Sequence, residues 1–188
     1  TKDKHQKVDD KVYGGGPGMV LMAEPLIRGV SSIKYQVSSK NKKDKTKIIL
    51  FSARGKQFNN KTAAQLSKKY NRLILICGRY EGIDERVKKV FAGWKWEIEE
   101  FSAGPYVLTG GEIPAMAIID VVSRQIPGVL GKSESIEEKR LGIGVPIYTR
   151  PEILVYRGKK YSVPKMLLSG HHKNIEEWRR AERDKSHA

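Results

Sequence analysis

Apolar residues along this chain gather into short runs and helical stripes that alternate with one another. Residues 47–51 and 73–77 are runs rich in branched side chains, the pattern of buried strands. Between them, residues 62–70 carry Ala63, Leu66 and Tyr70 at helical spacing. The three segments predict a β-α-β unit. Beyond Cys77 a Gly-Arg-Tyr-Glu-Gly turn leads into residues 83–91, where Ile83, Val87, Val90 and Phe91 share one helical face. Asp84 and Glu85 fall in its first turn, where negative charge suits the helix dipole. Trp94, Trp96 and Ile98 alternate with polar residues as on a strand, and residues 106–108 read as a further short strand ending in Thr109-Gly110-Gly111. Residues 113–126 predict a buried helix, with Pro114 near its start and Pro127-Gly128 ending it.

The later part of the chain has a different pattern. Residues 132–140 are polar and charged with no apolar period, which predicts an exposed, mobile connection. Residues 153–156 and 161–163 flank Arg157-Gly158-Lys159-Lys160 as a hairpin with a basic tip. Ile175 and Trp178 mark a short helix, and the charged residues 179–188 are expected to fray. Alternating strands and helices define an α/β class with a mainly parallel sheet. Three loops of small residues, 52–55, 78–82 and 109–111, follow predicted strands. Ligands of open parallel sheets sit beyond the carboxyl ends of strands, where glycine lets backbone amides come close, so a cofactor is expected there.

Composition adds a partner. The 188 residues suffice for one well-filled domain with an appendage, and 36 Lys+Arg against 21 Asp+Glu leave a net charge of +15. Such an excess repels itself unless a polyanion offsets it, which makes nucleic acid the first candidate and a solvated basic surface the plain alternative. No segment approaches the roughly 18 apolar residues of a membrane span. The charged first ten residues lack a leader's apolar stretch, and the lone Cys77 cannot form an intrachain disulfide; both suit a reducing cytoplasm. His171 and His172 are adjacent with no Cys pair or carboxylate at ligand spacing, so they read as helix-start or RNA-facing residues, and no metal site is assigned. Gly128-Val-Leu-Gly-Lys-Ser133 departs from a phosphate loop in spacing and follows a helix, which excludes an NTPase. The turn at 78–82 is not a dinucleotide fingerprint, which speaks against a nicotinamide enzyme.

Five segments together carry more information than each alone. They are Gly14-Gly-Gly-Pro-Gly-Met19 preceded by Val8-Asp-Asp10, Cys77-Gly-Arg-Tyr-Glu-Gly-Ile-Asp-Glu-Arg86, Tyr106-Val-Leu-Thr-Gly-Gly-Glu-Ile-Pro114, Ser123-Arg-Gln-Ile-Pro-Gly-Val-Leu-Gly131 and Tyr148-Thr-Arg-Pro-Glu152. With Leu167-Leu-Ser-Gly-His171 they occur in the order of the bacterial tRNA (guanine-N1)-methyltransferase family, which the chain resembles over nearly its whole length. The resemblance implies a SPOUT-type fold, with a mainly parallel sheet flanked by helices and a trefoil knot that holds S-adenosylmethionine in a bent shape. It further implies a homodimer with active sites across the interface, and methyl transfer to N1 of the guanosine next to a tRNA anticodon. The implied division is a knotted cofactor-binding domain over residues 1–131, a mobile segment over 132–145, and a shortened tRNA-binding region over 146–188. The family's first strand and following helices would precede Thr1, so the chain is expected to be short at its N-terminus.

Carried over residue by residue, the resemblance places the adenosyl group against Phe51, Ser52, Gly78, Ala103, Gly104, Pro105, Tyr106, Val107, Leu108, Gly110 and Gly111. Arg124 matches the catalytic arginine and Glu81 a functional glutamate. Asp9, Pro17 and Gly18 match the segment that positions the target guanosine. The chemistry agrees with these types. Guanine N1 is a poor nucleophile until its proton leaves, so a carboxylate is needed as base, and a guanidinium beside O6 stabilises the charge that develops there. The family's aspartate base aligns with Lys139, which cannot act as a base while protonated. Glu138, one residue away, is the expected substitute, with Glu137 next. The same departure motivates the alternative of a noncatalytic tRNA-binding or cofactor-binding relative.

Overall fold

The computed structural model describes residues 4–38, 45–130 and 144–185, which fall in two compact units, Thr1–Val129 and Leu130–Ala188. In the first, a ribbon of β1 (Asp9–Lys11) and β2 (Met19–Leu21) is followed by α1 (Ala23–Ser38), β3 (Thr46–Gln57), α2 (Asn60–Lys69), β4 (Arg72–Ile76), α3 (Arg86–Gly93), β5 (Ile98–Ser102) and α4 (Glu112–Ser123). The second holds a hairpin of β6 (Ile153–Tyr156) and β7 (Lys159–Ser162), then α5 (Lys165–Leu168) and α6 (His172–Lys185).

Among the described residues β4, β3 and β5 form a parallel three-stranded sheet in that order, with Ile48 opposite Ile74 on one side and Ile98 on the other. Successive strand residues face opposite ways, and both faces of β3 are covered. Ile48 and Leu50 pack with Val30 of α1 and with Val87 and Phe91 of α3, whereas Ile49 packs with Ala63 and Leu66 of α2, Ile118 and Val122 of α4, and Phe101. The expected α/β class with a parallel sheet is therefore present, and its core lies on the two faces of β3.

Several elements differ from the pattern-based expectation, each for a local reason. Residues 52–55 are not a strand-to-helix loop. β3 continues through them with a bulge, so that Phe101 pairs with both Phe51 and Lys56. The bulge depends on Gly55, because a β-carbon there would lie 2.6–2.8 Å from the backbone of Glu100 and Phe101. Residues 106–108 are not a strand; Tyr106, Val107 and Leu108 are exposed in a loop. Trp94 and Trp96 precede β5 in a turn. Lys95 at φ +56° swings both indoles to one side, where Trp96 stacks on Phe91 at 5.2 Å and meets Trp94 edge-on at 5.0 Å.

α3 begins at Arg86 rather than at Ile83, because residues 82–84 are drawn to β2: the Gly82 carbonyl accepts from Leu21, and Asp84 N–H donates to the Leu21 carbonyl at 3.0 Å. α4 is shorter than 113–126 and only partly buried. Pro114, Ala115, Ile118 and Val122 face the core, while Ile113, Met116 and Ile119 are exposed. α1 has no counterpart among the predicted elements, although Ala23, Leu26, Ile27 and Val30 are spaced for one buried face. In the second unit the hairpin matches expectation, with Arg157 and Gly158 at positive φ in its two-residue turn. α6 runs to Lys185 and does not fray after Trp178. The expected mobile connection at 132–140 lies outside the described residues.

Phe101 is fully buried and meets Phe58 edge-on at 5.4 Å. Phe101→Ala is expected to lower unfolding free energy by about 3–5 kcal/mol, the usual cost of deleting a buried ring. Tyr35→Ala, at a residue 79% exposed, should change it by less than about 0.5 kcal/mol; urea unfolding of both variants measures the contrast.

Candidate active-site cleft

The carboxyl ends of β4 and β5 and the bulge within β3 open onto one cleft of about 1440 Å³ in the first unit. Phe51 and Ser52 reach it at the start of the β3 bulge, Gly78 directly after β4, and Ala103, Tyr106, Val107, Leu108, Gly110 and Gly111 from the loop between β5 and α4. Gly104 and Pro105 belong to the same loop without lining the cleft. Ser102 shapes that loop: its hydroxyl donates to the Gly104 carbonyl at 2.7 Å and accepts the Gly104 N–H at 3.3 Å.

The loops after β4 and β5 are joined backbone to backbone. Gly111 N–H donates to the Gly78 carbonyl at 2.8 Å, and Arg79 bridges Gly110. A β-carbon on Gly111 would lie 2.6 Å from Cys77 Cα and 2.9 Å from Gly78 N. Its φ of −82° suits any residue, so space alone requires glycine here. The Arg79 guanidinium spans the same junction, reaching Glu112 Oε1 from Nη2 at 2.8 Å and from Nε at 2.9 Å.

The other expected residues are distributed more widely. Glu81 lines the cleft, its N–H donates to the Met19 carbonyl at 3.0 Å, and its side chain lies over Gly18, where a β-carbon would meet Glu81 Cγ at 2.6 Å. Glu81 and Gly18 are thus brought together. Asp9, opposite Leu21 in the β1–β2 ribbon, and Pro17, in the loop of that ribbon, do not line the cleft, although Asp10 and Lys11 do. Arg124 caps the C-terminus of α4, its N–H donating to the Asp120 carbonyl at 3.0 Å, and is also outside the lining. Glu137, Glu138 and Lys139 lie outside the described residues.

A charged wall faces the glycine loops that pattern reasoning did not single out. The β3 bulge carries Arg54 into the cleft, where it pairs with Glu85; Lys88 reaches Glu85 at 2.6 Å and Glu100 at 2.8 Å. Burial pushes the Glu100 pKa up, but hydrogen bonds from Lys88 and Ser52 outweigh it and hold the carboxyl below its ordinary value. The hydrogen bond from Lys88 likewise holds Glu85 ionised. Asp84 takes the Arg86 guanidinium in a two-point contact, Nε to Oδ1 at 2.9 Å and Nη2 to Oδ2 at 2.5 Å, which lowers its pKa. Gly55, within β3, is where the strand closes on the backbone of Glu100 and Phe101. Burial pushes the Cys77 thiol up, as does the Glu112 charge, which makes Cys77 a poor nucleophile at neutral pH.

The fold and cleft define an α/β domain with an open cleft along one end of a parallel sheet, where ligands of such sheets sit. A family profile described as tRNA (Guanine-1)-methyltransferase TrmD matches residues 1–187. Similar curated proteins, each named tRNA (guanine-N(1)-)-methyltransferase, come from Dictyoglomus turgidum at 50% identity, Alkaliphilus oremlandii at 48% and Shewanella loihica at 47%. The alignments cover 97%, 96% and 95% of this chain and 68%, 70% and 67% of those relatives. The chain belongs to the tRNA (guanine-1)-methyltransferase TrmD family.

Gly111→Ala is expected to force the two loops apart and lower stability by about 1–3 kcal/mol, as overpacking against fixed backbone does. Gly110→Ala meets mainly the Glu112 carboxylate, which can swing away, and should cost less than about 1 kcal/mol. Amide exchange at Gly111 should quicken only in the first variant.

Proposed function

We propose that this chain transfers the methyl group of S-adenosylmethionine to N1 of guanosine 37, the nucleotide that follows a tRNA anticodon. The observation that carries the reading is the family match over residues 1–187, shared with relatives named for methyl transfer to tRNA guanine N1. The activity is enzymatic. The cofactor and the position of the target guanosine are the finer steps of the proposal.

In this reading the adenosyl group sits against Phe51, Ser52, Gly78, Ala103, Gly104, Pro105, Tyr106, Val107, Leu108, Gly110 and Gly111, and the joined loops belong to a trefoil knot. The convergence of most of these residues on one cleft supports the assignment. When bound, the cofactor supplies an activated methyl on a sulfonium whose departure as a neutral thioether needs no acid. The protein's part is to make guanine N1 nucleophilic. A carboxylate, Glu138 in this proposal, accepts the N1 proton as the N1–methyl bond forms. Arg124 stabilises the negative charge that grows on O6, and Glu81, lying over Gly18, holds the guanosine-positioning segment with Asp9 and Pro17.

The exposed stripe of Ile113, Met116 and Ile119 on α4 supports a homodimer that covers it, with active sites across the interface. tRNA is the partner that offsets the +15 charge, and residues 146–188, with the hairpin turn at Arg157-Gly158 and Lys159 and Lys160 at the start of β7, are assigned to hold it. Among the described residues no helix is long and apolar enough to cross a membrane. A cytoplasmic setting, where tRNA is available, completes the proposal.

Transfer of labelled methyl from S-adenosylmethionine to unmodified tRNA, with the modified base mapped, tests the reading; no transfer, or transfer to another position, refutes it. Arg124→Ala should abolish transfer while S-adenosylhomocysteine affinity, by calorimetry, stays within a few-fold, since the guanidinium acts on O6. Glu138→Gln should slow single-turnover transfer by about 10² or more, the scale of a general base, whereas Lys139→Ala should cost much less. Normal turnover by both Glu138→Gln and Glu137→Gln would remove proton acceptance from this segment.

A further inference from the structure

The cleft is acidic for a basic protein. Asp10, Glu24, Glu81, Asp84, Glu85 and Glu100 line it against Lys11, Arg54, Arg79 and Arg86. A ligand that ends in a carboxylate therefore needs a specific cation inside it. Two of the three arginines are each held at two points by one carboxylate, Arg79 by Glu112 and Arg86 by Asp84. Arg54 differs, because its partner Glu85 also receives Lys88 at 2.6 Å, so one carboxylate is shared between two cations. Lys11, the remaining cation, belongs to the β1–β2 ribbon and not to the sheet.

The position of Arg54 is built rather than incidental. Gly55 presses on the backbone of Glu100 and Phe101, the bulge this creates turns residues 52–54 into the cleft, and the Arg54 N–H donates to Ser52 Oγ at 3.2 Å. Glu85, at the start of α3, then fixes the guanidinium. Arg54 thus stands on the same wall as Phe51 and Ser52, two residues along from the proposed adenosyl contacts, and next to Glu100, which Lys88 and Ser52 keep ionised.

We propose that Arg54, oriented by Glu85, binds the α-carboxylate of the cofactor's amino-acid tail, so that the β3 bulge distinguishes a nucleoside carrying an α-amino acid from one without it. The inference rests on the cofactor reading above and adds a residue to it. A planar guanidinium offers a carboxylate two parallel N–H donors, and a charge-assisted contact of this kind is specific as well as favourable.

Calorimetry with three ligands tests it: S-adenosylhomocysteine, its decarboxylated counterpart, which keeps the amine, and 5′-methylthioadenosine, which has no amino-acid tail. Arg54→Ala should weaken S-adenosylhomocysteine by about tenfold and leave the other two within about twofold. Arg54→Lys should recover part of the loss, and Glu85→Gln should produce a smaller loss of the same selectivity. An unchanged preference for S-adenosylhomocysteine over its decarboxylated form in Arg54→Ala overturns the proposal, as does an equal loss for all three ligands. Loss of tRNA affinity alone would assign the guanidinium to phosphates and overturn it equally. If the unsubstituted chain binds none of the three, the cofactor reading itself has failed and takes this inference with it. Arg54 is largely exposed and outside the core, so a folded variant is expected, and circular dichroism checks it.

Discussion

The cleft depends on two places where backbone lies directly against backbone. Gly111 sits on Cys77 and Gly78, and Gly55 sits on Glu100 and Phe101, at separations that leave no room for a β-carbon. The first contact ties the loop after β5 to the loop after β4. The second bends β3 so that Ser52, Ala53 and Arg54 leave the sheet and enter the cleft. The ends of β4 and β5 and the bulge of β3 are therefore fixed relative to one another by main chain, which has few alternative conformations, rather than by side chains that can repack. The sheet beneath supplies the rigidity: β3 is buried on both faces, and its Ile48, Ile49 and Leu50 anchor two separate helix layers.

Much of this was legible in the sequence. Residues 47–51 and 73–77 read as buried strands because they are short and rich in branched side chains, and the helical spacing of Ala63 and Leu66 placed α2 between them. The glycine turns announced where a ligand could approach, and most of the cofactor-binding residues carried over from the family resemblance converge on the cleft. What failed to show was structure set by contacts distant in sequence. The Ser52–Gly55 stretch reads as a loop because nothing local tells that Phe101 will pair twice with β3. Trp94 and Trp96 mimic a strand because a left-handed Lys95 reproduces its two-residue alternation. Tyr106 to Leu108 has strand composition, but among the described residues no strand pairs with it. α1 escaped notice although its stripe is clear, since Pro25, Gly29 and paired serines at 31 and 32 lower its helical propensity.

The candidate site was legible unevenly, and for a physical reason. Backbone-binding positions announce themselves through glycine, whose use is narrow. Charged positions do not, because a carboxylate in a chain that is 30% charged is more often solvated than functional. Glu85, Lys88 and Glu100 look like surface charge in the sequence. Only the fold shows that α3, β5 and the β3 bulge bring them into one chain of ion pairs with Arg54.

Charge distribution gives that chain of pairs its sense. The protein carries an overall excess of cations, yet carboxylates outnumber cations in the cleft lining. A polyanion is attracted by the net charge and opposed by the cleft interior, so for an RNA substrate the phosphates are favoured outside the cleft and an uncharged base is what can enter. A small cation is favoured in the same acidic interior. Asp84, Glu85 and Glu100 are held below their ordinary carboxylate range by hydrogen bonds and charge from Arg86, Lys88 and Arg54, which do not neutralise the cleft as a whole.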